Sequence, residues 1–165
     1  NFRDIHLREA FAARFAAQGI GRERLDIGCH SPPWGVLRGF DIGLDCFPHN
    51  SGTTLFETLY MGVPFVTLEG RPSAGRLGSS VLKGLGRGEW IARTEPEYAD
   101  IAVSLAENLN ALAGIRATLR AEMEGSALMD EVGFARRVEA AYRAMWAKWC
   151  NSSDKCGAAW DLPAR

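Results

Sequence analysis

The chain holds 165 residues, 47% hydrophobic and 24% charged, and 19 basic residues against 20 acidic ones leave a net charge of −1. Such totals describe one ordinary globular domain, with no basic excess to support nucleic-acid binding and no apolar run near the roughly 20 residues that span a bilayer. Nothing at the N-terminus has the character of a signal peptide, so a cytoplasmic location is expected. The start at Asn1 rather than Met raises the expectation of a longer parent polypeptide.

Residues 3–18 place Phe2, Ile5, Phe11 and Phe15 largely on one helical face, and Gly19 stops that helix. Residues 24–29 (RLDIGC) alternate apolar and polar and read as a short strand. After His30-Ser31-Pro32-Pro33, a short helix near 34–40 leads to a second strand at 41–45 (DIGLD). A helix over 53–61, a turn at Gly62 and a third strand at 64–68 follow, with Pro64 at a position strands tolerate. A loop at 69–72 opens into a helix over 73–85, and Trp90-Ile91 is a brief extended piece.

Thr94, with Pro96 in the first turn and Glu97 three residues on, is a strong helix start. Tyr98, Ile101, Ala102, Leu105 and Leu109 form the apolar face of that helix, and Leu112, Ile115 and Leu119 that of the next. The last helix carries Phe134, Val138, Ala141, Tyr142, Met145, Trp146 and Trp149, a stripe that suits a core or an interface. Residues 1–150 thus read as one domain, and 151–165 as an irregular, frayed tail.

Four scattered cysteines (Cys29, Cys46, Cys150, Cys156) form no CxxC, and His6, His30 and His49 lack zinc-ligand spacing, so no metal is expected. Cys29 and Cys46 lie beside apolar runs and are expected to be buried, reduced and structural. The Asn151-Ser152-Ser153 sequon carries no weight without a secretion signal.

Strands alternating with helices imply a doubly wound, Rossmann-like parallel α/β sheet closed by C-terminal helices. Ligands of such sheets bind past the carboxyl ends of the strands, here the loops at 28–33, 46–52 and 69–72. The second of these runs into Asn50-Ser51-Gly52-Thr53-Thr54, with Glu57 a turn further on.

Two readings of that stretch stand side by side. Thr54-Leu55-Phe56-Glu57 fits a capping box, a common device worth about 1 kcal/mol. Alternatively, the helix N-terminus offers unpaired N–H groups and a positive dipole end to a diphosphate, two hydroxyls add donors, and Glu57 takes ribose hydroxyls. Neither GxGxxG nor GxxxxGK[ST] is present. Weaker candidates are His30 and His49 in crevice loops, and Arg76 as a phosphate or substrate contact near the third loop.

The stretch DIGLDCFPHNSGTTLFETLYMGVPFVTLEGRPSAGRLGSS, continued by EWIARTEPEYADIAVSLAENL and FARRVEAAYRAMWAKWC, resembles the C-terminal catalytic lobe of the O-GlcNAc transferase and SPINDLY family, bacterial members above all. The resemblance runs from about Phe2 to Cys150. It implies a two-lobed GT-B glycosyltransferase without a metal or other cofactor, whose C-terminal lobe holds a UDP-sugar, UDP-GlcNAc above all, while protein Ser or Thr hydroxyls accept the sugar. A GDP-fucose donor, as in the SPINDLY branch, is the specificity alternative.

Carried over by position, Thr53 and Thr54 meet the diphosphate, Glu57 the ribose, and the 28–31 loop, with His30 and Ser31, the base; Asn50, Ser51 and Gly52 complete the turn. Gly52 stands where animal relatives have His, and Pro33 where many relatives have His. The resemblance further implies an N-terminal lobe and tetratricopeptide repeats upstream, with the acceptor groove and most catalytic groups on that lobe. The chain alone is therefore expected to bind nucleotide and transfer nothing. A noncatalytic interaction module, self-associating through the aromatic final helix, is the rival expectation.

Overall fold

The computed structural model describes residues 2–151 of the chain. The frayed tail expected at 151–165 falls, beyond Asn151, outside the described residues. Seven α-helices and three strands occur among the described residues: α1 (Ile5–Ala16), α2 (Trp34–Leu37), β1 (Gly43–Leu44), α3 (Thr53–Tyr60), β2 (Phe65–Leu68), α4 (Leu77–Leu85), β3 (Ile91–Ala92), α5 (Glu95–Glu107), α6 (Leu109–Glu124) and α7 (Glu131–Asn151). The strands lie in chain order, all parallel, with Gly43 beside Phe65, Leu44 beside Val66, Thr67 beside Ile91 and Leu68 beside Ala92. Helical crossovers join them, as parallel neighbours require.

β2 explains the architecture. Phe65, Val66 and Thr67 are all fully buried, so both faces of this strand are covered, which suits the central strand of a parallel sheet and its apolar composition. Phe65 packs with Leu55 and Leu59 of α3, Val81 and Leu82 of α4, Trp90, and Leu119 and Met123 of α6. Burying each such side chain contributes about 1.5–3 kcal/mol. Gly62 turns α3 into β2 at a φ of 77°, with the carbonyl of Arg116 so close that a Cβ would lie 2.8 Å from it. The start of α5 follows the expected chemistry: Thr94 Oγ1 accepts from the Glu97 amide, and the Glu97 carboxylate accepts from the Arg93 amide.

Several expectations change. Residues 24–29 form no strand; a 3₁₀ turn at Arg22–Arg24 gives way to extended backbone at Leu25 with no ladder partner. Alternation supplies one suitable face, but a strand also needs a neighbouring edge to pair with. Residues 73–76 form a 3₁₀ turn ahead of α4, with Gly75 packed on Gly70 and on the Pro48 carbonyl. Cys29 and Cys46 are exposed free thiols, because Cys29 lies in a segment that joins no sheet and Cys46 in the loop leaving β1. Phe11 and Phe15 of α1 pack on one another at 5.1 Å between ring centroids, and Phe2, ahead of the helix, packs on Phe11 at 5.0 Å. No described helix is long and apolar enough to cross a membrane.

Candidate functional site

The site begins where β1 ends. Asp45 is 4% exposed, and both its oxygens are engaged: Oδ1 accepts from the Ser51 amide at 2.8 Å, and Oδ2 accepts from the Thr67 hydroxyl of β2 at 2.8 Å. The Asp45 carbonyl accepts from the Tyr98 hydroxyl of α5 at 2.9 Å. Burial, followed by the charges of Asp45 and Cys46, pushes the Tyr98 phenol up to about 12, so it remains a donor at neutral pH.

Asn50 is more deeply buried still. Its amide group donates to the Cys46 carbonyl at 3.1 Å and accepts from the Gly78 amide at 3.3 Å, while its backbone N–H donates to the Ala74 carbonyl. These bonds tie the 45–51 loop to β2 and to the start of α4. The Cys46 thiol closes the loop locally by donating to the His49 carbonyl at 3.0 Å. Gly78 is where this packing is tightest: a Cβ there would overlap the Thr67 hydroxyl and lie 2.7 Å from Asp45 Oδ2.

The capping-box expectation is overturned at the next step. The N-cap of α3 is Gly52, whose missing side chain leaves the cap unbonded, and Thr54 falls inside the first turn, past the position from which a side chain caps. The amides of Gly52, Thr53 and Thr54 donate to nothing among the described residues. Thr53 and Thr54 are exposed, and a Cβ on Gly52 would meet no atom within 4 Å outside its own chain neighbours. Beside this open helix end lies a cleft of about 400 Å³ between α2, β1 and α3, lined by Asp45, Ser51, Thr54, Leu37, Phe40 and Phe65 among others. Its volume falls within the usual range for small-ligand sites.

The remaining candidates are distributed. Glu57 lines a separate apolar groove of about 320 Å³ with Trp34, Tyr60, Met61 and Met123, so Thr54 and Glu57 border different concavities on α3. His30 and Ser31 are exposed in the loop before α2, and no hydrogen bond, ion pair or ring contact among the described residues joins them to the 50–57 turn. The His30 ring lies over Gly28. Arg76 is exposed at the start of α4, where its carbonyl accepts from the hydroxyls of Ser79 and Ser80. No described group ring-fences a metal: the described residues contain no set of three His, Cys, Asp or Glu able to hold one.

Sequence reasoning passed over Asp45, Thr67, Gly78 and Tyr98. Asp45 and Thr67 do leave a signal, being polar at positions that an apolar strand would fill with hydrophobes. Tyr98 read as one more apolar helix residue, with no local hint of its partner 53 positions away.

The chain is similar to known proteins in sequence and in fold. Residues 34–138 match the family described as Glycosyl transferase family 41, which is well over half of the chain. The chain belongs to glycosyl transferase family 41. A tomato (Solanum lycopersicum) protein named "Probable UDP-N-acetylglucosamine--peptide N-acetylglucosaminyltransferase SPINDLY" is 43% identical over 88% of the chain, and its namesake from Arabidopsis thaliana is 36% identical over 87%.

Both alignments cover 16% of the relative, so this family 41 chain corresponds to a small part of those proteins. A solved structure of a mutant Thermobaculum terrenum O-GlcNAc transferase superposes with a TM-score of 0.80 at 35% identity, over 90% of this chain and 29% of that one. The Rossmann-like GT-B lobe expected from the resemblance is therefore the fold observed, its three described strands falling within or beside the expected 41–45, 64–68 and Trp90-Ile91 segments.

Proposed function

We propose that the chain is the nucleotide-sugar-binding lobe of a protein O-glycosyltransferase, and that the open N-terminus of α3 receives the donor's diphosphate. The observation that carries this reading is the combination of an unbonded Gly52 cap, exposed Thr53 and Thr54, and a cleft of about 400 Å³ beside them. Departure of a nucleoside diphosphate builds negative charge on its terminal phosphate. Fixed N–H and hydroxyl donors at a positive helix end stabilise that charge without having to reorganise.

UDP-GlcNAc is the donor this reading favours, in keeping with the names of the relatives. On this reading His30 and Ser31 serve the base, Glu57 the ribose from the neighbouring groove of α3, and Arg76 a phosphate. The acceptor hydroxyl needs in-line positioning, for which the described residues offer no evident group; we assign that task to an N-terminal lobe of a longer polypeptide carrying helical repeats. On this reading the chain alone binds nucleotide and transfers no sugar, with no metal or other cofactor involved.

Calorimetric titration with UDP and UDP-GlcNAc tests the reading. The wild-type chain is expected to bind, and Thr53→Ala/Thr54→Ala to weaken UDP by about tenfold or more, about 1.4 kcal/mol. Absence of heat with the wild type, or equal binding by the double variant, rejects it. Competition between UDP and GDP separates a GlcNAc-type donor from a GDP-fucose donor.

A second reading, a noncatalytic interaction module, draws on α7, whose Phe134, Tyr142, Met145 and Trp146 are all more than 60% exposed. Self-association in light scattering, together with indifference to every nucleotide, supports that reading over the first.

A further inference from the structure

Asp45 is a carboxylate withdrawn from solvent, yet it meets no cation among the described residues. Its two oxygens are divided between the Ser51 amide and the Thr67 hydroxyl, and its carbonyl takes the Tyr98 hydroxyl. The only donor it removes from the turn is the Ser51 N–H, the residue immediately before the open cap. With that peptide plane pinned, the next three amides, those of Gly52, Thr53 and Thr54, are left without protein partners.

We propose that Thr67 and Tyr98 are positioning residues that act through Asp45 to hold the Gly52–Thr54 donor set in its anion-receiving orientation. This rests on the nucleotide-binding reading of the same turn. The physical logic is that a buried carboxylate must have its lone pairs satisfied. Thr67, on the central strand, supplies one donor and thereby leaves the other oxygen free to take Ser51 and nothing else. Without the Thr67 hydroxyl, Oδ2 is unsatisfied; the carboxylate then rotates to seek another donor, and the Ser51 bond is the one it gives up.

Gly78 shows how closely the arrangement is fitted, since a methyl group there would strike both Thr67 and Asp45. Tyr98 does the equivalent work from the far side of the loop, with its ring edge-on to Phe47 at 5.5 Å between centroids. The donor set is thus held by three separate elements, β2, α4 and α5, none of which places a residue among the donors themselves.

The test uses the whole 165-residue chain. Thr67→Val keeps the shape and removes the hydroxyl; Thr67→Ser keeps the hydroxyl and removes a methyl. UDP affinity by calorimetry is read beside amide hydrogen exchange at Ser51 and, as a distant reference, at Leu119 in α6. Thr67→Val is expected to weaken UDP by about tenfold and to speed exchange at Ser51 but not at Leu119, with Thr67→Ser within about twofold of wild type. Tyr98→Phe, a milder change nearer the surface, is expected to shift both readouts in the same direction by about threefold.

UDP affinity unchanged in Thr67→Val and Tyr98→Phe overturns the proposal. So does a loss in which exchange at Ser51 and Leu119 rises together and Thr67→Ser fails to rescue, since that marks general destabilisation. A wild-type chain that binds no UDP rejects the nucleotide-binding reading instead. Exchange at Ser51 in the unliganded variants still reports whether Thr67 holds the turn.

Discussion

α6 and α7 adjoin in the chain, and their sequences promise the opposite of what each does. α7 has the stronger apolar stripe, with two tryptophans, yet buries no residue. α6 is plainer but buries Leu112, packs Leu119 and Met123 into the core with α3 and α4, and has Glu122 reach Arg87 past the end of α4 at 2.6–2.9 Å. The ion pairs of α7 are local, Arg143 with Glu139 and Arg137 with Asp130. The lesson is that helical periodicity says which face seeks cover, whereas position in the tertiary fold determines whether cover is at hand.

Stability measurements can break that contrast. The largest expected effect is Leu119→Ala, which removes a fully buried side chain and should cost about 2–5 kcal/mol in denaturant unfolding. Met145→Ala on α7 should change stability by less than about 0.5 kcal/mol in the same assay. Comparable losses at the two positions would mean that α7 is as firmly seated as α6.

Next in size is the tie from α5 to the β1 loop. Tyr98→Phe should cost about 1 kcal/mol at neutral pH. It should also change the alkaline limb of the stability profile. Because folding raises the Tyr98 phenol from 10.0 to about 12, its contribution is complete below pH 10 and is lost as pH rises through about 12. The Phe variant lacks that loss, so its curve should run flatter than wild type there; parallel curves would disprove the coupling.

A further, smaller effect than Tyr98→Phe tests the α4–α6 link. The Thr118 hydroxyl first, and Arg87 as well, hold the Glu122 carboxyl below its usual value against an opposing burial effect. Its contribution is therefore present above the ordinary carboxylate range and fades as pH falls through the lowered value. Glu122→Gln should blunt that acid sensitivity and cost below about 1 kcal/mol at pH 7, since both partners are partly exposed and screened. An acid limb identical to wild type would place the titration elsewhere.

The order of helices, the central apolar strand and the start of α5 at Thr94 were legible from the chain, because periodicity and capping depend on near neighbours. The strand expected at 24–29 was not decidable that way, since alternation cannot supply a pairing edge. At the site, Gly52, Thr53 and Thr54 could be picked out as an opening helix turn, and the resemblance of the surrounding forty residues pointed to the right family. Whether that turn was a closed capping box or an open donor set could not be read, for Thr54-x-x-Glu57 satisfies the pattern of the first.

Local residue order therefore determined the α/β alternation, the family 41 signature and a helix beginning beside Gly52. Tertiary structure alone decided that Gly52 is the cap, that Asn50 is buried scaffold, and that Thr54 and Glu57 border separate hollows. The physical reason is distance along the chain. The bonds that settle the turn come from Thr67, Gly78 and Tyr98, which lie 22, 28 and 53 positions from their partners and are brought there only by the folding of the sheet and its covering helices.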